Sequence, residues 1–330
     1  MKESRLFVKL PEYVATPDSM AIDAEGNLIL ACPNFADPAL PGCVVKIDKN
    51  RNVTKWFDVP VREDTGMARP MGIGFGPDGD LYLIDNQPWL DRPELVRKGR
   101  LLRLRIEGST VVKCTVVADN MEHPNGLRIH GGYVYLTQSK MELVKDPSGC
   151  QVSCVYRFGL DEENIQITNT LADPHILCTY LTRNPRDQYG VDGIEIDPEG
   201  NLLIGNFGDG AVYKVILNED GSVRSNQVWA RNPGELESTD GMVMDEAGNL
   251  YIADFCANAI VKVSPDGRTV RRLAQSPDCT GLEGGLDQPG EPILWNGKII
   301  VSCFDAVVND IVRNTAHELP ATLAEIDLNG

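Results

Sequence analysis

The chain of 330 residues is strongly acidic, with a formal net charge of −17 and a sequence pI of about 4.7. A protein that binds nucleic acid or an anionic membrane surface needs a basic face. The sequence contains no run of Lys and Arg, so we expect neither partner. Hydrophobic residues make up 42% of the chain, enough for a large core. Because a propeller can use this length as one domain, we predict a single domain over residues 1–330.

The nine cysteines stand singly and include no C-x-x-C pair. An odd number of scattered cysteines is typical of reduced thiols rather than of a disulfide framework, which predicts a cytoplasmic protein. The first residues, Met1–Leu6, carry no long apolar run. We therefore expect neither a signal peptide nor a membrane span.

A phrase recurs along the chain: an apolar strand, then Asp-x-x-Gly-Asn-Leu, then a second apolar strand. Its clearest copies run from Asp192 to Leu202 and from Asp240 to Leu250. Six copies, the last of them degenerate, begin at the head positions Asp18, Met71, Asn125, Asp192, Asp240 and Glu291. The spacings are 53, 54, 67, 48 and 51 residues, and the longest predicts an insertion over 170–190. A fixed period of this length indicates a repeat architecture.

Each unit shows four short strands. In the first unit Leu28–Ala31 follows a glycine turn, Val44–Asp48 alternates, and Val53–Phe57 follows a polar turn. Glycine at the first turn supplies the positive φ of a tight hairpin, and no segment keeps a helical period. Four antiparallel strands in each of six units predict an all-β, six-bladed β-propeller. A β-solenoid is the alternative, although it usually has shorter repeats.

The two ends of the chain complement each other. The last strand, Thr322–Leu328, resembles a third strand, so the sixth unit lacks its fourth. The N-terminal strand Leu6–Leu10 has no unit of its own and can supply it. This exchange would close the ring and remove an open sheet edge.

The head positions are candidates for a metal site. In a propeller the innermost strands surround a central channel, so these six positions form a ring at its mouth. Four hold carboxylates and one holds an amide. A single Asp-Gly is more often a turn, but five oxygen side chains at equivalent positions favour a hard divalent cation, Ca²⁺ first, with Mg²⁺, Mn²⁺ or Zn²⁺ also compatible.

Three phrases resemble the regucalcin/gluconolactonase family: Pro124-Asn125-Gly126, Val191-Asp192-Gly193 and Gly290-Glu291-Pro292 with Trp295. The resemblance covers nearly the whole chain and implies a six-bladed propeller that holds a divalent cation with a Glu, one or two Asn and an Asp. Related propellers include diisopropyl fluorophosphatase and bacterial lactonases. The family's Glu phrase opens the chain, whereas here Asp18 opens it and the Glu phrase lies in the last unit.

Two alignments with the family remain open. In the unshifted alignment the ligands are Asp18, Asn125, Asp192 and Asp240. In the alignment shifted by one blade they are Glu291, Asn125 and Asp192, which match the family's residue types and cyclic spacing; we expect this set. Either alignment lacks an amide near Pro70-Met71, where the family has a further Asn.

The resemblance implies a hydrolase that opens a lactone of sugar-acid or related type with a metal-activated water. Asp192 is the expected base and Asp240 the second candidate. The expected substrate contacts are Asp18, Arg69, Asn34, Tyr189 and His123, although Arg69 can equally be a surface residue and His123 can pack beside its strand. Five loops are expected to border the pocket and set its specificity: 33–42, 87–99, which contains Trp89, 139–150, 177–189 and 305–319.

The alternatives are a phosphotriesterase of the diisopropyl fluorophosphatase type, which needs the same cation, and a propeller that binds a ligand or protein without catalysis. The partner we expect is a small-molecule substrate. We predict a monomer or a weak homo-oligomer in the cytoplasm.

Overall fold

The structure is a computed structural model and describes residues 1–328. Its strands, in chain order, are β1 (Ser4–Lys9), β2 (Met20–Ile22), β3 (Leu28–Cys32), β4 (Cys43–Ile47), β5 (Val53–Asp58), β6 (Pro70–Phe75), β7 (Leu81–Asp85), β8 (Gly99–Glu107), β9 (Thr110–Met121), β10 (Pro124–His130), β11 (Tyr133–Gln138), β12 (Gln151–Gly159), β13 (Ile165–Gln166), β14 (Ile176–Thr182), β15 (Val191–Ile196), β16 (Leu202–Asn206), β17 (Ala211–Leu217), β18 (Val223–Arg231), β19 (Met242–Met244), β20 (Leu250–Asp254), β21 (Ala259–Val263), β22 (Val270–Gln275), β23 (Pro289–Trp295), β24 (Lys298–Cys303) and β25 (Thr322–Asp327). Two short 3₁₀-helices, Gln87–Leu90 and Pro93–Leu95, lie between β7 and β8.

These strands form six sheets, and each sheet is one blade of a six-bladed β-propeller. The innermost strands, β2, β6, β10, β15, β19 and β23, contact one another in this order, and β23 contacts β2, which closes the ring. The predicted fold class is therefore confirmed. No helix among the described residues is long and apolar enough to cross a membrane.

The predicted closure is also confirmed. β1 pairs antiparallel with β25, with Ser4 opposite Ile326 and Lys9 opposite Thr322, and completes the sheet β1-β25-β24-β23. The last blade thus contains both ends of the chain. Its outermost strand comes from the N-terminus, so unfolding either end exposes an edge of the same sheet.

The expected insertion over 170–190 is wrong in its position, because this range contains β14, the fourth strand of the third blade. The extra residues lie instead in the long β11–β12 connection and in the segment before β14. That segment contributes β13, which pairs parallel with β9 and gives the second blade a fifth strand. Ile165 lies opposite Ala118 there, so the extra strand covers the outer edge of the neighbouring blade.

The core lies between neighbouring blades. Leu28 and Val45 of the first blade pack with Ile300 and Leu323 of the sixth, all fully buried. Burial of each such side chain contributes about 1.5–3 kcal/mol relative to exposure. This packing fixes each innermost strand against the next, and so holds the head residues in a ring. All nine cysteines are free thiols.

Candidate active site

In four of the six blades a glycine follows the head residue, and these glycines set the spacing of the ring. A Cβ added to Gly126 would lie 2.6 Å from the carbonyl oxygen of Asp192, the head residue of the next blade. A Cβ on Gly193 would overlap the carbonyl oxygen of Asp240 even more severely. Real Cβ atoms do not approach carbonyl oxygens so closely, so only glycine lets adjacent heads pack this tightly. The Asp-Gly and Asn-Gly pairs thus have a packing role between blades.

A hydroxyl group strengthens one of these junctions. Thr137 on β11 donates from Oγ1 to the carbonyl of Asp192 at 2.6 Å and accepts from the N–H of Gly126 at 2.9 Å. Its side chain is fully buried. These hydrogen bonds therefore anchor the backbone of Asp192 to the preceding blade. The Asp192 carboxylate is thus carried by a fixed strand.

A cavity with about 560 Å³ of empty space, including its open mouth, lies at one end of the channel. Its polar lining residues are Asp18, Asn125, Asp187, Asp192, Asp240 and Asn309. Its larger apolar and aromatic lining residues are Met71, Trp89, Tyr189, Phe207, Phe255 and Phe304. Among the described residues that line it there is no Lys, Arg or His. The ring of heads therefore opens into a space that carries negative charge and no positive side chain.

Three of the lining carboxylates lack compensation. Burial, with the Glu291 charge second, raises the pKa of Asp18 to about 8. Burial and then the Asp18 charge raise the pKa of Asp192 well above its ordinary value, and burial and then Asp192 do the same for Asp240. Within residues 1–328, the one hydrogen bond recorded for these three carboxylates is the one that Asp240 accepts from the N–H of Gly241. Negative charge crowded in this way favours a cation.

Asn125 adds a neutral oxygen to the same cavity. Its Nδ2 donates to the hydroxyl of Tyr189 at 3.2 Å, which leaves the amide oxygen available to a ligand. Carboxylate and amide oxygens without nitrogen or sulfur are the donors that Ca²⁺ and Mg²⁺ prefer. The residues present therefore fit a hard divalent cation.

The cavity carboxylates are spread around the ring. Elsewhere in the described chain three acidic side chains bring ligand atoms within 4.8 Å of one another, but no three of the ring carboxylates do so. Ligands of one Ca²⁺ lie about 2.3–2.6 Å from it. Without movement of these side chains, no three of the carboxylates form a compact ligand set for one ion, and Asn125 or water must supply further ligands.

Glu291 occupies a different environment from the other heads. Its Oε1 accepts from Nη2 of Arg128 at 2.9 Å, and the same nitrogen lies 3.4 Å from Glu195 and donates to the carbonyl of Met242 at 2.7 Å. Burial raises the pKa of Glu291 to about 6, against the opposing effect of Arg128. Glu291 is not among the residues that line the cavity. Its charge is already compensated by an arginine inside the channel.

Tyr189 lines the cavity, whereas His123 lies behind it. The two rings meet edge to face with centroids 6.3 Å apart, and His123 is 4% exposed. Burial, and then the charge of Lys140, lowers the pKa of His123 to about 3, so its imidazole is neutral at physiological pH. His123 thus packs beside its strand and supports the Tyr189 ring.

The structure does not bring Arg69 and Asn34 to the cavity. The Arg69 guanidinium is buried and donates to the carbonyls of Pro33, Pro38 and Leu40 at 2.8, 2.6 and 2.9 Å. Asn34 is fully buried, and its Oδ1 accepts from the N–H of Ala15 at 2.9 Å. Because main-chain groups already use these polar atoms, the two expected substrate contacts instead fix the loop after β3.

Three aromatic residues that line the cavity were not predicted from the six head positions of the repeat. Phe207, Phe255 and Phe304 each follow directly after the second strand of a blade, namely after β16, β20 and β24. The signal was therefore present at a second equivalent position of the repeat, one strand after the head. Three of the five expected border loops line the cavity: 87–99 through Trp89, 177–189 through Asp187 and Tyr189, and 305–319 through Val308, Asn309 and Val312. Loops 33–42 and 139–150 do not line it.

A second acidic cluster, also missed, lies on the sixth blade. Asp287, Asp305 and Glu318 place one carboxylate oxygen each within 4.8 Å of one another. His317 donates from Nδ1 to the carbonyl of Asp305 at 2.7 Å, close to its carboxylate. Burial, then Asp305, raises the pKa of Asp287 to about 8. This cluster lies outside the cavity lining and could itself bind a cation.

No family model matches the sequence, and no curated protein matches it by sequence. Solved structures do match over the full length. A luciferin-regenerating enzyme aligns with a TM-score of 0.68 at 12% identity and covers 100% of this chain and 96% of its own. Regucalcin from Agrobacterium tumefaciens, described as calcium-binding, gives 0.63 at 13%, with 98% and 93% covered. A gluconolactonase from Xanthomonas campestris gives 0.61 at 14%, with 99% and 95% covered.

Other matches include a virginiamycin B lyase and an aldose sugar dehydrogenase with bound PQQ, so the fold alone does not decide the reaction. At these identities the comparison concerns architecture. The resemblance expected from the sequence is borne out at that level: the chain has the six-bladed propeller fold of the gluconolactonases, regucalcin and luciferin-regenerating enzyme.

Proposed function

We propose that the protein is a divalent-cation-dependent hydrolase that opens a lactone ring in the channel-mouth cavity. The observation that carries this proposal is the set of uncompensated carboxylates, Asp18, Asp192 and Asp240, beside the Asn125 amide in a cavity without a basic side chain. A propeller that only binds an apolar ligand has no need to gather these charges. The named activity of the gluconolactonase with the same fold agrees with the proposal.

We assign cation binding to Asp18, Asn125 and Asp192, following the unshifted alignment. The shifted alignment would use Glu291, but that carboxylate is held by Arg128 at 2.9 Å and lies outside the cavity lining. Removing it from the guanidinium would break the shorter of the two buried ion pairs of Arg128 and leave only the 3.4 Å contact with Glu195, which is costly. Ca²⁺ is the first candidate because the donors are all oxygen.

We assign Asp240 as the base, rather than Asp192, which the family resemblance implies. It lines the cavity and is only partly buried, so substrate and water can reach it. When bound, the divalent cation supplies a Lewis acid for the lactone carbonyl oxygen. With a cation bound nearby, which would favour its ionised form, Asp240 accepts a proton as water adds to the acyl carbon. The ring C–O bond then breaks, the leaving alkoxide takes this proton from Asp240, and the product is a hydroxy acid.

The surrounding residues position the reactants. Tyr189 holds the Asn125 side chain through its hydroxyl, which keeps the amide oxygen at the cavity. Phe207 and Phe255 supply apolar surface to the cavity lining. A drier cavity strengthens the electrostatic interactions made inside it.

The test is hydrolysis of δ-valerolactone by purified protein, followed as acid release, before and after removal of divalent cations with a chelator. We expect activity that is lost on chelation and restored by Ca²⁺ or another divalent cation. Because the Asp287 cluster could also hold a cation, Asp192→Asn and Asp287→Asn should be compared for activity and metal content. Loss of activity only in Asp192→Asn supports the cavity.

Retained activity in chelator would overturn the metal dependence. Turnover of an organophosphate triester without turnover of any lactone would instead identify a phosphotriesterase. Absence of any hydrolysis, with a cation bound, would favour a binding propeller.

A further inference from the structure

Resting on the proposed function, we infer that the physiological substrate is a lactone with an apolar substituent, alkyl or aromatic, rather than a polyhydroxylated sugar lactone. The cavity has two unlike parts. The oxygen groups lie at the heads of the innermost strands, whereas the aromatic rings form a continuous series that includes the residues after the second strands of three blades, and we call this series the aromatic wall. The reacting carbonyl belongs at the first part, and the rest of the substrate contacts the second.

The aromatic wall consists of rings in successive contact. Their centroid separations are 4.2 Å for Phe35–Trp89, 5.5 Å for Trp89–Phe304, 5.5 Å for Phe304–Phe255, 5.7 Å for Phe255–Phe207 and 5.4 Å for Phe207–Tyr189. Such separations are those of interacting aromatic pairs. Val308 and Val312, from the β24–β25 connection, extend the apolar lining.

This wall is fixed by the scaffold. Phe207, Phe255 and Phe304 extend directly from the second strands of three consecutive blades. Sites built on such elements hold their shape better than sites on loops alone. The wall is therefore a preformed apolar surface, and it distinguishes substrates by the apolar area that they bury against it.

The polar residues outside the ring of heads offer little to a sugar. Asp187 Oδ1 accepts from the N–H of Tyr189 at 3.2 Å, and Asn309 Oδ1 accepts from the N–H of Ile311 at 3.1 Å. One oxygen of each side chain thus hydrogen-bonds its own loop, which leaves Asp187 Oδ2 and Asn309 Nδ2 as the groups that could meet substrate hydroxyls. Hydroxyl groups placed against the aromatic wall would lose water without gaining a partner, which is unfavourable.

The inference is tested with δ-lactones that share one ring: δ-valerolactone, δ-hexalactone, δ-octalactone and glucono-δ-lactone, with Ca²⁺ present and spontaneous hydrolysis subtracted. We expect kcat/KM to rise about fourfold per added methylene, the fold-change that corresponds to about 0.8 kcal/mol per buried CH₂. Glucono-δ-lactone should be at least about tenfold poorer than δ-hexalactone.

Phe255→Ala should lower the ratio of kcat/KM for δ-octalactone to that for δ-valerolactone. A merely structural role would lower both values together and leave the ratio unchanged. Tyr133→Ala is the matched control, because Tyr133 is an exposed aromatic residue that does not line the cavity. Phe255→Leu provides a second variant if the alanine protein does not fold. Its ratio of kcat/KM for δ-octalactone to that for δ-valerolactone should stay close to the wild-type ratio.

The outcomes separate the two proposals. Hydrolysis of all four lactones with no chain-length dependence, or with glucono-δ-lactone best, would overturn the apolar substrate class and leave the hydrolase intact. No hydrolysis of any lactone would overturn both. An unchanged ratio in Phe255→Ala would remove the aromatic wall as the cause of any chain-length preference.

Discussion

Three of the six repeats, the first, fourth and fifth, carry an aspartate at both ends of the innermost strand, and the two ends behave in opposite ways. At the turn end, Asp245 accepts from the N–H of Asn249 at 2.8 Å and from the hydroxyl of Tyr251 at 3.0 Å. Burial would raise its pKa, but these hydrogen bonds, with Asn249 first, lower it overall. At the head end, burial and Asp192 raise the pKa of Asp240 well above its ordinary value.

The same contrast holds in other blades. Asp23 accepts from Asn27 at 2.9 Å and pairs with Lys46 at 2.9 Å, whereas Asp18, at the head of that blade, has a pKa raised to about 8 by burial and by Glu291. The turn aspartates are satisfied by neighbours in their own blade and stabilise the hairpin. The head aspartates have no comparable hydrogen-bond partners, which makes them the candidates for binding a ligand or cation.

The largest expected effect is on catalysis, and it distinguishes the head aspartate Asp240 from the turn aspartate Asp245 of the same repeat. Asp240→Asn should lower kcat for lactone hydrolysis by about 10²–10⁴-fold, the range for loss of a general base. The matched control is Asp245→Asn, the same substitution at the turn end, which should keep the activity per folded molecule. Activity of Asp240→Asn within about threefold of wild type, a difference too small for a lost base, would refute its assignment.

Loss of the buried ion pair between Arg128 and Glu291 should have the largest effect on stability. Arg128→Met leaves Glu291 and Glu195 buried without their cation, and loss of one partner of a buried pair costs about 3–5 kcal/mol. Urea unfolding measures this change. Adding Glu291→Gln to Arg128→Met should recover part of the loss, because it removes one of the stranded charges. No recovery would show that Arg128 acts mainly through packing.

Substitution of a glycine at the contact between neighbouring blades should cause a smaller loss of stability. Gly193→Ala places a Cβ against the carbonyl oxygen of Asp240, which should cost about 1–3 kcal/mol as an overpacked contact. Gly234→Ala is the control, since its nearest neighbour, a side-chain oxygen of Asn232, would be 3.6 Å from the new Cβ. Urea unfolding of both proteins should separate them. Equal stability would mean that the ring expands without cost.

Substitution of the turn aspartate Asp245 should have the smallest effect on stability, and this effect should depend on pH. Because the folded-state pKa of Asp245 is lowered, its ionised form stabilises the folded protein above the unfolded-state pKa. Asp245→Asn should therefore be less stable than wild type by about 0.5–1.5 kcal/mol at pH 6. This difference should shrink as the pH falls below about 4, through the folded-state pKa. A difference that grows toward acid would contradict the assigned sign.

The repeat made the fold predictable because its information is local. Turn glycines such as Gly200, alternating strands and the unmatched strand at each end all lie in short stretches of sequence. The ring of heads followed from the propeller topology. The pairing of Arg128 with Glu291 did not, because it joins residues 163 positions apart across the channel.

Burial was the other quantity that sequence did not supply. Arg69 and Asn34 are polar residues at loop positions, where exposure is the usual expectation, yet both are buried against main-chain groups. The aromatic wall was missed for a different reason. Phe207, Phe255 and Phe304 occupy equivalent positions, but only the head of each repeat was compared across all six units.

The central claim is that the unpaired head carboxylates bind a divalent cation. Calorimetric titration of metal-free protein with Ca²⁺, using wild type, Asp18→Asn, Glu291→Gln and Asp287→Asn, tests it most directly. The account predicts that Asp18→Asn loses a site that wild type, Glu291→Gln and Asp287→Asn all retain. Unchanged binding in Asp18→Asn, with loss in Glu291→Gln or only in Asp287→Asn, would contradict it.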